Sequence, residues 1–252
     1  MRISFVASEG VPFSKTGGLA DVIGGLPKAI AALGHEVSIF LPRYRQTSLS
    51  DAKVTLSHLT IPIGDSLFFP DILDAGQRDG VQFYFVEHPL FGARDGIYGD
   101  TRGDYPDNDE RFMMFCRAVL EASKRFGAPD IFHVHDWQTS LIPVLLRNAY
   151  ATDPTFAATA SLLTIHNIGY QGLFPSSAMS KLLLPWSLFT LDRLEFYDKV
   201  NLLKGGIVYA DYLTTVSKTY AQEIQTPEFG FGLANVIAKK EDRLAGIVNG
   251  VD

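Results

Sequence analysis

A lysine followed by two glycines stands where an anion could bind. Residues 14–21 read Ser-Lys-Thr-Gly-Gly-Leu-Ala-Asp, between the first predicted strand and the helical pattern after it. Gly17 and Gly18 lack a β-carbon, so backbone N–H groups at the positive end of the helix can approach a phosphate, to which Lys15 adds a full charge. The motif predicts a phosphate-binding loop, and a flexible turn with a solvated lysine is the alternative that stays open.

Histidines and an aspartate come at the ends of two later predicted strands. His133, His135 and Asp136 belong to the sequence His-Val-His-Asp-Trp, and His166 begins His-Asn-Ile-Gly-Tyr-Gln-Gly. Residues two apart on a strand share a face. Three imidazoles could therefore converge on a metal ion with Asp136 as a base, as in a metal-dependent hydrolase. In the alternative, His133 packs within its strand while His135 and Asp136 form hydrogen bonds at the strand end.

The loop that follows the second of these strands carries groups that suit a sugar ligand. Asn167 and Gln171 supply amides, and Tyr170 supplies a ring that can stack on a sugar or a base. Two glycines in the same loop allow it to fold over a ligand. The loop is therefore a candidate binding element.

The run Asp107-Asn-Asp109 admits two interpretations. A DxD motif can bind a divalent metal together with a diphosphate. The run also precedes a long helical pattern, and Glu110 lies three residues after Asp107. This spacing favours a capping box, in which the Asp107 side chain caps the helix and Glu110 bonds back to the cap residue.

The elements that must position these residues alternate between apolar strands and amphipathic helices. The predicted strands are residues 3–7, 36–41, 131–134, 161–165, 212–216 and 244–248. The predicted helices are residues 19–33, 109–126, 141–150, 202–209 and 218–224. The alternation predicts an α/β fold, a Rossmann-like, doubly wound, mostly parallel sheet with helices on both faces and ligands beyond the carboxyl ends of the strands. Residues 54–61 and 81–86 look like an inserted antiparallel piece.

The composition excludes several classes of function. The 252 residues include 22 Lys and Arg against 28 Asp and Glu, a net charge of −6, which argues against nucleic acid or an anionic membrane as a partner. A single cysteine, Cys116, excludes a disulfide or a cysteine-based zinc site within the chain. No apolar run reaches the roughly 18–20 residues of a membrane span, and the first residues lack signal-peptide character. We therefore expect a cytoplasmic protein.

A series of motifs resembles, in the same order, those of bacterial glycogen synthases and plant starch synthases. They cover residues 9–22, 96–99, 107–112, 133–137, 164–172, 184–186, 201–206, 215–217 and 249–252. That family transfers glucose from ADP-glucose, or in some members UDP-glucose, to the non-reducing end 4-hydroxyl of an α-1,4-glucan. The reaction retains configuration and uses no cofactor or metal. The family's GT-B fold pairs two Rossmann-like domains.

The resemblance implies that residues 1–252 form the N-terminal, acceptor-side domain of such an enzyme. The C-terminal domain is then absent from this chain, and we expect the isolated half to transfer glucose poorly or not at all. The implied location is the bacterial cytoplasm or, after removal of a transit peptide, the plastid stroma. A non-catalytic glucan-binding module and a sucrose-type synthase are the alternatives, beside the hydrolase.

Carried over by position, the resemblance assigns roles on the donor side of the reaction. Lys15 approaches the diphosphate of the nucleotide sugar, and Gly17 and Gly18 form its backbone cradle. Asp21 lies near the bound substrate. These roles agree with the phosphate-binding interpretation of the loop.

The same resemblance assigns the glucose and acceptor contacts. Asp136 and His166 hold the transferred glucose and shape the transition state, so they are the implied catalytic residues. Tyr98 forms one side of the acceptor groove, and Asn249 contacts ligand at the hinge of the cleft. The loop residues counted with them as substrate-binding are Asn167, Tyr170 and Gln171.

Overall fold

The computed structural model describes residues 1–250. The chain forms two compact units, Met1–Asp130 and Ile131–Asp252. Val251 and Asp252, the last two residues of the predicted Asn-Gly-Val-Asp motif, lie outside the described residues. None of the helices described between residues 1 and 250 combines the length and apolarity that a bilayer crossing needs.

The first unit contains a mixed sheet and three helices. Its strands are β1 (Arg2–Val6), β2 (Glu36–Pro42), β3 (Lys53–Leu56), β4 (Ile61–Ile63), β5 (Ser66–Phe68), β6 (Asp71–Arg78), β7 (Val81–Glu87), β8 (Gly99–Asp100) and β9 (Gly103–Asp104). Its helices are α1 (Gly18–Ala32), α2 (Pro89–Gly92) and α3 (Asn108–Phe126). Within this unit the main sheet runs in the order β1-β2-β7-β6-β3. β1, β2 and β7 are parallel, and β6 and β3 continue the sheet antiparallel.

Strand β7 corrects the prediction of a separate antiparallel insertion. β7 pairs in parallel with β2, with Ile39 opposite Phe83, and antiparallel with β6 on its other side. Val81, Phe83 and Phe85 are buried, so β7 is an interior strand. The polar, Gly-containing connection before it is a turn between β6 and β7, which the sequence alone does not distinguish from the border of an insertion. The predicted strand at 54–61 is divided into β3, at the edge of this sheet, and β4, which pairs with β5; His58 between them has a left-handed φ of +53°.

Helix α1 covers one face of this sheet with an amphipathic stripe. Leu19, Ile23 and Pro27 are buried, whereas Asp21 and Lys28 lie on the exposed side. The helix begins one residue before the predicted start and continues through Pro27 to Ala32. Its amino end therefore lies directly after the loop that carries the lysine and the glycines.

Helix α3 begins where the sequence predicts, but its cap differs. Asp107 is at the N-cap position, yet its side chain makes no capping hydrogen bond. Both Asp107 carboxylate oxygens instead accept bonds from the Arg94 guanidinium, at 2.6 and 2.5 Å. The predicted capping box is therefore wrong, because the bidentate ion pair with Arg94 engages both oxygens of the carboxylate that would have capped the helix. The same pairing lowers the pKa of Asp107, against the opposing effect of burial.

The second unit contains a parallel sheet. Its strands are β10 (Ile131–His135), β11 (Ala160–Ile165), β12 (Leu173–Pro175), β13 (Glu195–Phe196), β14 (Lys199–Asn201), β15 (Tyr212–Thr215) and β16 (Leu244–Gly246). Its helices are α4 (Asp136–Thr139), α5 (Leu141–Arg147), α6 (Ala178–Leu182), α7 (Leu202–Tyr209), α8 (Lys218–Glu223) and α9 (Ala234–Ala238), with short 3-10 turns at Pro154–Phe156, Trp186–Leu188 and Glu241–Arg243. The sheet order is β16-β15-β11-β10 within this unit, and every pair is parallel.

Neighbouring glycines on α1 provide a matched test of its packing. A β-carbon at Gly24 would lie 2.2 Å from Cγ2 of Val11, whereas one at Gly25 meets no atom within 4 Å. We expect Gly24→Ala to lower the free energy of unfolding by about 1–3 kcal/mol through overpacking. Gly25→Ala should raise it by about 0.5–1 kcal/mol, the gain in helix propensity. Urea unfolding followed by circular dichroism measures both, and equal effects would contradict this packing.

Candidate functional site

Backbone hydrogen bonds hold the two ends of the loop between β1 and α1, residues 10–17, which we consider together with Gly18, the first residue of α1. We call it the Lys15 loop. The Gly10 N–H donates to Ser14 O at 3.0 Å, and the Ser14 N–H donates to Gly10 O at 3.1 Å. The Val11 N–H donates to Ala20 O at 3.1 Å, which ties the loop to the first turn of α1. These bonds fix the two ends of the loop, and residues 15–18 between them are exposed.

Lys15 is paired at the surface of the loop. Its Nζ donates to both carboxylate oxygens of Asp21, at 2.6 and 2.8 Å. The two side chains are 52% and 57% exposed, and an ion pair with that exposure contributes at most about 1 kcal/mol. Asp21 thus orients the ammonium at the helix start, and a stronger anion can displace it at small cost.

The two glycines of the loop leave open space at the start of α1. A β-carbon at Gly17 or Gly18 would meet no protein atom within 4 Å. Gly17 is extended, with φ −149°, a conformation open to any residue. Neither internal packing nor backbone strain requires glycine here, so the space before the unpaired N–H groups of the helix favours a bound anion.

A buried carboxylate lies behind the loop, and sequence reasoning did not single it out. Glu9 is 4% exposed, and its oxygens accept hydrogen bonds from the Thr16 N–H, the Thr16 hydroxyl and the Tyr98 hydroxyl. Tyr98 Oη also lies 2.7 Å from Ser8 Oγ. Burial raises the pKa of Tyr98 well above its ordinary value, so the phenol stays protonated. The hydroxyl of this predicted acceptor residue is therefore engaged within the fold.

Asp136 sits at the carboxyl end of β10 in a strained conformation. Its φ is +53°, in the left-handed region that costs a non-glycine residue about 1 kcal/mol or more. Its Oδ1 accepts the backbone N–H of His166 at 2.7 Å and that of Asn167 at 3.4 Å. The carboxylate thus joins the ends of two neighbouring parallel strands, β10 and β11, and strain of this kind is typical of functional residues.

His166 is half-buried and belongs to a row of three imidazoles with His135 and His133, which are buried. We call these three together with Asp136 the aspartate–histidine cluster. His166 Nε2 lies 3.0 Å from His135 Nδ1, and the His135 ring stacks on that of His133 with centroids 4.4 Å apart. His133 Nε2 in turn lies 2.6 Å from Thr164 Oγ1. His133 is packed in its strand, as the second of the sequence alternatives expects.

Burial lowers the pKa of each histidine in the cluster. The pKa falls to about 4 for His166 and to about 3 for His133, where His166 adds to the effect of burial. For His135 the direction is the same, with burial as the larger cause and the two adjacent rings as the smaller ones. All three imidazoles are neutral at neutral pH, so they act as hydrogen-bond donors and acceptors rather than as charges.

The three histidines are not arranged around a metal position. Among residues 1–250, no group of three or more His, Cys, Asp or Glu side chains is placed to bind a metal ion. The facing nitrogens of His135 and His166 bond to each other, and His133 Nε2 is directed at Thr164. The geometry therefore gives no support to the metal-dependent hydrolase.

The predicted ligand contacts in the loop after β11 differ in exposure. Tyr170 is 69% exposed, and its ring is accessible to a ligand. Gln171 is buried, its Nε2 donates to the carbonyls of Ile168 and Phe231, and its Oε1 accepts from Asn201. These bonds favour a supporting role for Gln171 over a direct ligand contact.

The remaining predicted residues of this unit differ in their surroundings. Asn167 is exposed, and its Oδ1 accepts the Gly169 N–H at 2.9 Å, which tightens the turn after β11. Asn249 is exposed in the segment after β16. The structure thus brings Asn167 to Asp136 and His166, and Asn249 lies outside that hydrogen-bonded network.

Comparison with known proteins identifies the family. A family model described as the starch synthase catalytic domain matches residues 2–239. The chain belongs to this family. It is similar to the glycogen synthase of Koribacter versatilis (strain Ellin345), at 58% identity over 252 residues, and to glycogen synthase 2 of Geobacter sulfurreducens (strain ATCC 51573 / DSM 12127 / PCA), at 48% over 256 residues. Each alignment covers 100% of this chain and 52% of the relative, so the chain spans about half the length of these curated relatives.

Solved structures of the starch synthase family have the same fold. The catalytic domain of starch synthase IV from Arabidopsis thaliana, bound to ADP and acarbose, matches with a TM-score of 0.87 and 32% identity over 99% of this chain and 52% of that one. This match confirms the predicted α/β class with a parallel-dominated sheet. Sucrose-phosphate synthase from Thermosynechococcus elongatus matches with a TM-score of 0.57 at 14% identity, over 100% of this chain and 48% of that one, which shows a related fold alone.

The lowered pKa values of the histidines in this chain predict that its folded state is less stable at low pH. The pKa of His166 in the folded chain, about 4, lies below its ordinary value of 6.5, so the unfolded chain binds more protons between these values. The contribution of His166 to the free energy of unfolding is therefore fully present above about pH 6.5 and is lost as the pH is lowered. At pH 5 the loss from His166 alone is about 2 kcal/mol. Urea unfolding at pH 7.5 and pH 5 measures the loss.

Matched variants test whether this loss of stability at low pH comes from the aspartate–histidine cluster. His166→Gln should reduce the pH dependence, whereas His58→Gln, at a side chain that is 77% exposed, should leave it unchanged. NMR titration of the imidazole signals provides the direct measurement. A His166 ring that titrates near pH 6.5 would contradict the account.

Proposed function

We propose that this chain forms the acceptor-side half of a retaining glucosyltransferase that extends glycogen or starch. The reaction transfers glucose from ADP-glucose to the non-reducing end 4-hydroxyl of an α-1,4-glucan. The observation that carries the proposal is the Lys15 loop, an oriented cation beside open glycines at a helix start. The glycogen synthases that match the whole chain support it, as does a family structure bound to ADP and acarbose.

On the donor side, the Lys15 loop stabilises the leaving group. Negative charge develops on the β-phosphate as the bond to glucose breaks. In this proposal the Lys15 ammonium exchanges Asp21 for the diphosphate, and the N–H groups of Gly17 and Gly18 donate to its oxygens. A cation and a helix start preorganised in this way lower the barrier without solvent reorganisation.

On the glucose side, Asp136 and His166 orient the sugar as it becomes oxocarbenium-like. The Asp136 carboxylate carries negative charge suited to a developing positive one. His166 uses Nε2 toward His135, so Nδ1 is the ring atom that would meet a sugar hydroxyl. Because the two residues are bonded through the His166 N–H, they approach the ligand as one rigid unit.

Further proposed contacts extend the site along the acceptor. Tyr170 stacks on a glucose ring, since it is the exposed aromatic residue of its loop. Tyr98 contributes its ring to the acceptor groove, and Asn167 and Asn249 contribute amides. We place the protein in the bacterial cytoplasm, because the similar glycogen synthases come from bacteria.

The second candidate function is a glucan-binding module without catalysis. The exposed ring of Tyr170 favours it, because such a ring binds sugars in a module as well as in an enzyme. This alternative requires glucan binding that does not depend on Lys15 or respond to a nucleotide. The next two experiments distinguish the candidates.

Binding of ADP to a chimera, in which this chain replaces the matching half of the Koribacter versatilis glycogen synthase, tests the donor role of Lys15. We expect Lys15→Ala to weaken ADP about tenfold or more, through loss of a charge-assisted bond to phosphate. Lys28→Ala is the matched control, because Lys28 is also an exposed lysine paired with an aspartate, Asp79 at 2.8 Å. Isothermal titration calorimetry measures both affinities. Equal affinities in the two variants would refute the donor role.

The same chimera tests transfer itself. This chain replaces the matching half of the Koribacter versatilis glycogen synthase, to which it is 58% identical, and incorporation of radiolabelled glucose from ADP-glucose into glycogen is measured. We expect turnover that Asp136→Asn or His166→Gln reduces about a hundredfold or more, while His58→Gln leaves it unchanged. Glucan binding without transfer would favour the binding module, and substantial turnover by the chain alone would contradict the assignment as half of an enzyme.

A further inference from the structure

The Lys15 loop has no apolar anchor at the residues proposed to bind phosphate. Residues 15–18 are all exposed, whereas Leu19 and Ala20 at the start of α1 are buried. The backbone bonds of Gly10 with Ser14 and of Val11 with Ala20 lie on either side of this segment. Residues 15–18 therefore require another contact to keep one conformation.

Glu9 supplies that contact from the interior. Its Oε2 accepts the Thr16 N–H, and its Oε1 accepts the Thr16 hydroxyl at 2.9 Å. Thr16 lies between Lys15 and Gly17, so a fixed Thr16 backbone determines where the lysine side chain starts and where the glycine N–H groups are directed. The interior carboxylate thus orders an exposed segment that lacks packing of its own.

The burial of Glu9 makes these bonds strong and mutually dependent. Glu9 is 4% exposed, and a carboxylate in that environment is costly unless several donors satisfy it. Its donors are one amide and two hydroxyls, those of Thr16 and Tyr98. All of these bonds end on the Glu9 carboxylate, so the loss of the carboxylate releases the loop.

The same carboxylate also connects the loop to Tyr98. The Tyr98 hydroxyl donates to Glu9 Oε1 at 3.2 Å and lies 2.7 Å from Ser8 Oγ. Tyr44 Oη donates to the Ser8 carbonyl at 2.7 Å and completes the buried network. The proposed diphosphate loop and the proposed acceptor residue therefore share one anionic acceptor.

We propose that Glu9 is the positioning residue of the site: its buried carboxylate holds the Lys15 loop in the conformation that binds the diphosphate of the donor. The identity of the ligand in this inference rests on the proposed function. The way in which Glu9 acts rests on the hydrogen bonds of its carboxylate. Glu9 does not touch the ligand and acts through Thr16.

Hydrogen exchange on the 252-residue chain and ADP binding to the chimera that carries it test the proposal. Glu9→Ala should lower the exchange protection of the Thr16 amide about tenfold or more and weaken ADP by a similar factor. Glu9→Gln keeps one acceptor oxygen and should retain part of the exchange protection and part of the affinity for ADP. Glu36→Ala, which removes an exposed carboxylate of the same unit (paired with Arg2 at 3.3 Å), should change neither. Unchanged protection of Thr16 in Glu9→Ala would overturn the proposal.

Variants of Thr16, the exposed hydrogen-bond partner of Glu9, keep the test valid if Glu9→Ala does not fold. Thr16→Val removes one donor at the surface and should weaken ADP several-fold with the thermal midpoint unchanged, and Thr16→Ser should restore the affinity. A purely structural role for the bond would change the midpoint and leave the affinity intact, which would overturn the proposal. If the chimera with the unaltered chain does not bind ADP, the proposed function fails, and the exchange measurement still decides the role of Glu9.

Discussion

In each unit, a carboxylate that follows a parallel strand accepts a backbone N–H from a loop bearing candidate ligand groups. Glu9 follows β1 and accepts from Thr16, and Asp136 follows β10 and accepts from His166. Loops at the carboxyl ends of parallel strands carry polar backbone that the sheet does not pair. A short acidic side chain satisfies that backbone and at the same time determines its shape.

The two carboxylates differ in whether their oxygens are accessible to a ligand. Glu9 is buried and its oxygens are used within the fold, so its charge stabilises structure. Asp136 is half-buried and strained at φ +53°, a conformation maintained by the amides of the next strand end. The neutral imidazoles beside it add directional hydrogen bonds without adding charge. The two units therefore offer different groups to a ligand: the first has an exposed cation, Lys15, and the second has neutral imidazoles beside a carboxylate.

Much of the fold was predictable, because helical and strand periodicity report burial directly. Helix α7 has the predicted bounds, and α1 and α3 begin within one residue of theirs. β7 was misassigned because pairing direction is not encoded in its own residues; its apolar pattern suits either a parallel or an antiparallel neighbour. The helix start at Asp107 was correct and its cap was not, since Arg94, thirteen residues away, competes for the carboxylate.

The candidate site was predictable by residue type but not by role. Lysine, glycine, aspartate and histidine after strands indicated where ligands bind. Glu9 escaped notice because an acid after a strand looks the same in sequence whether it is solvated or buried against Thr16. Gln171 and Tyr98 looked like ligand contacts, and the structure shows their polar groups bonded within the protein.

The most direct measurement is an NMR titration with ADP of the chimera, 15N-labelled in the half that this chain supplies, which tests whether the Lys15 loop binds the diphosphate. The account predicts saturable shifts that are largest at the amides of Thr16, Gly17 and Gly18. Shifts confined to residues away from this loop, or no saturable shifts, would contradict it.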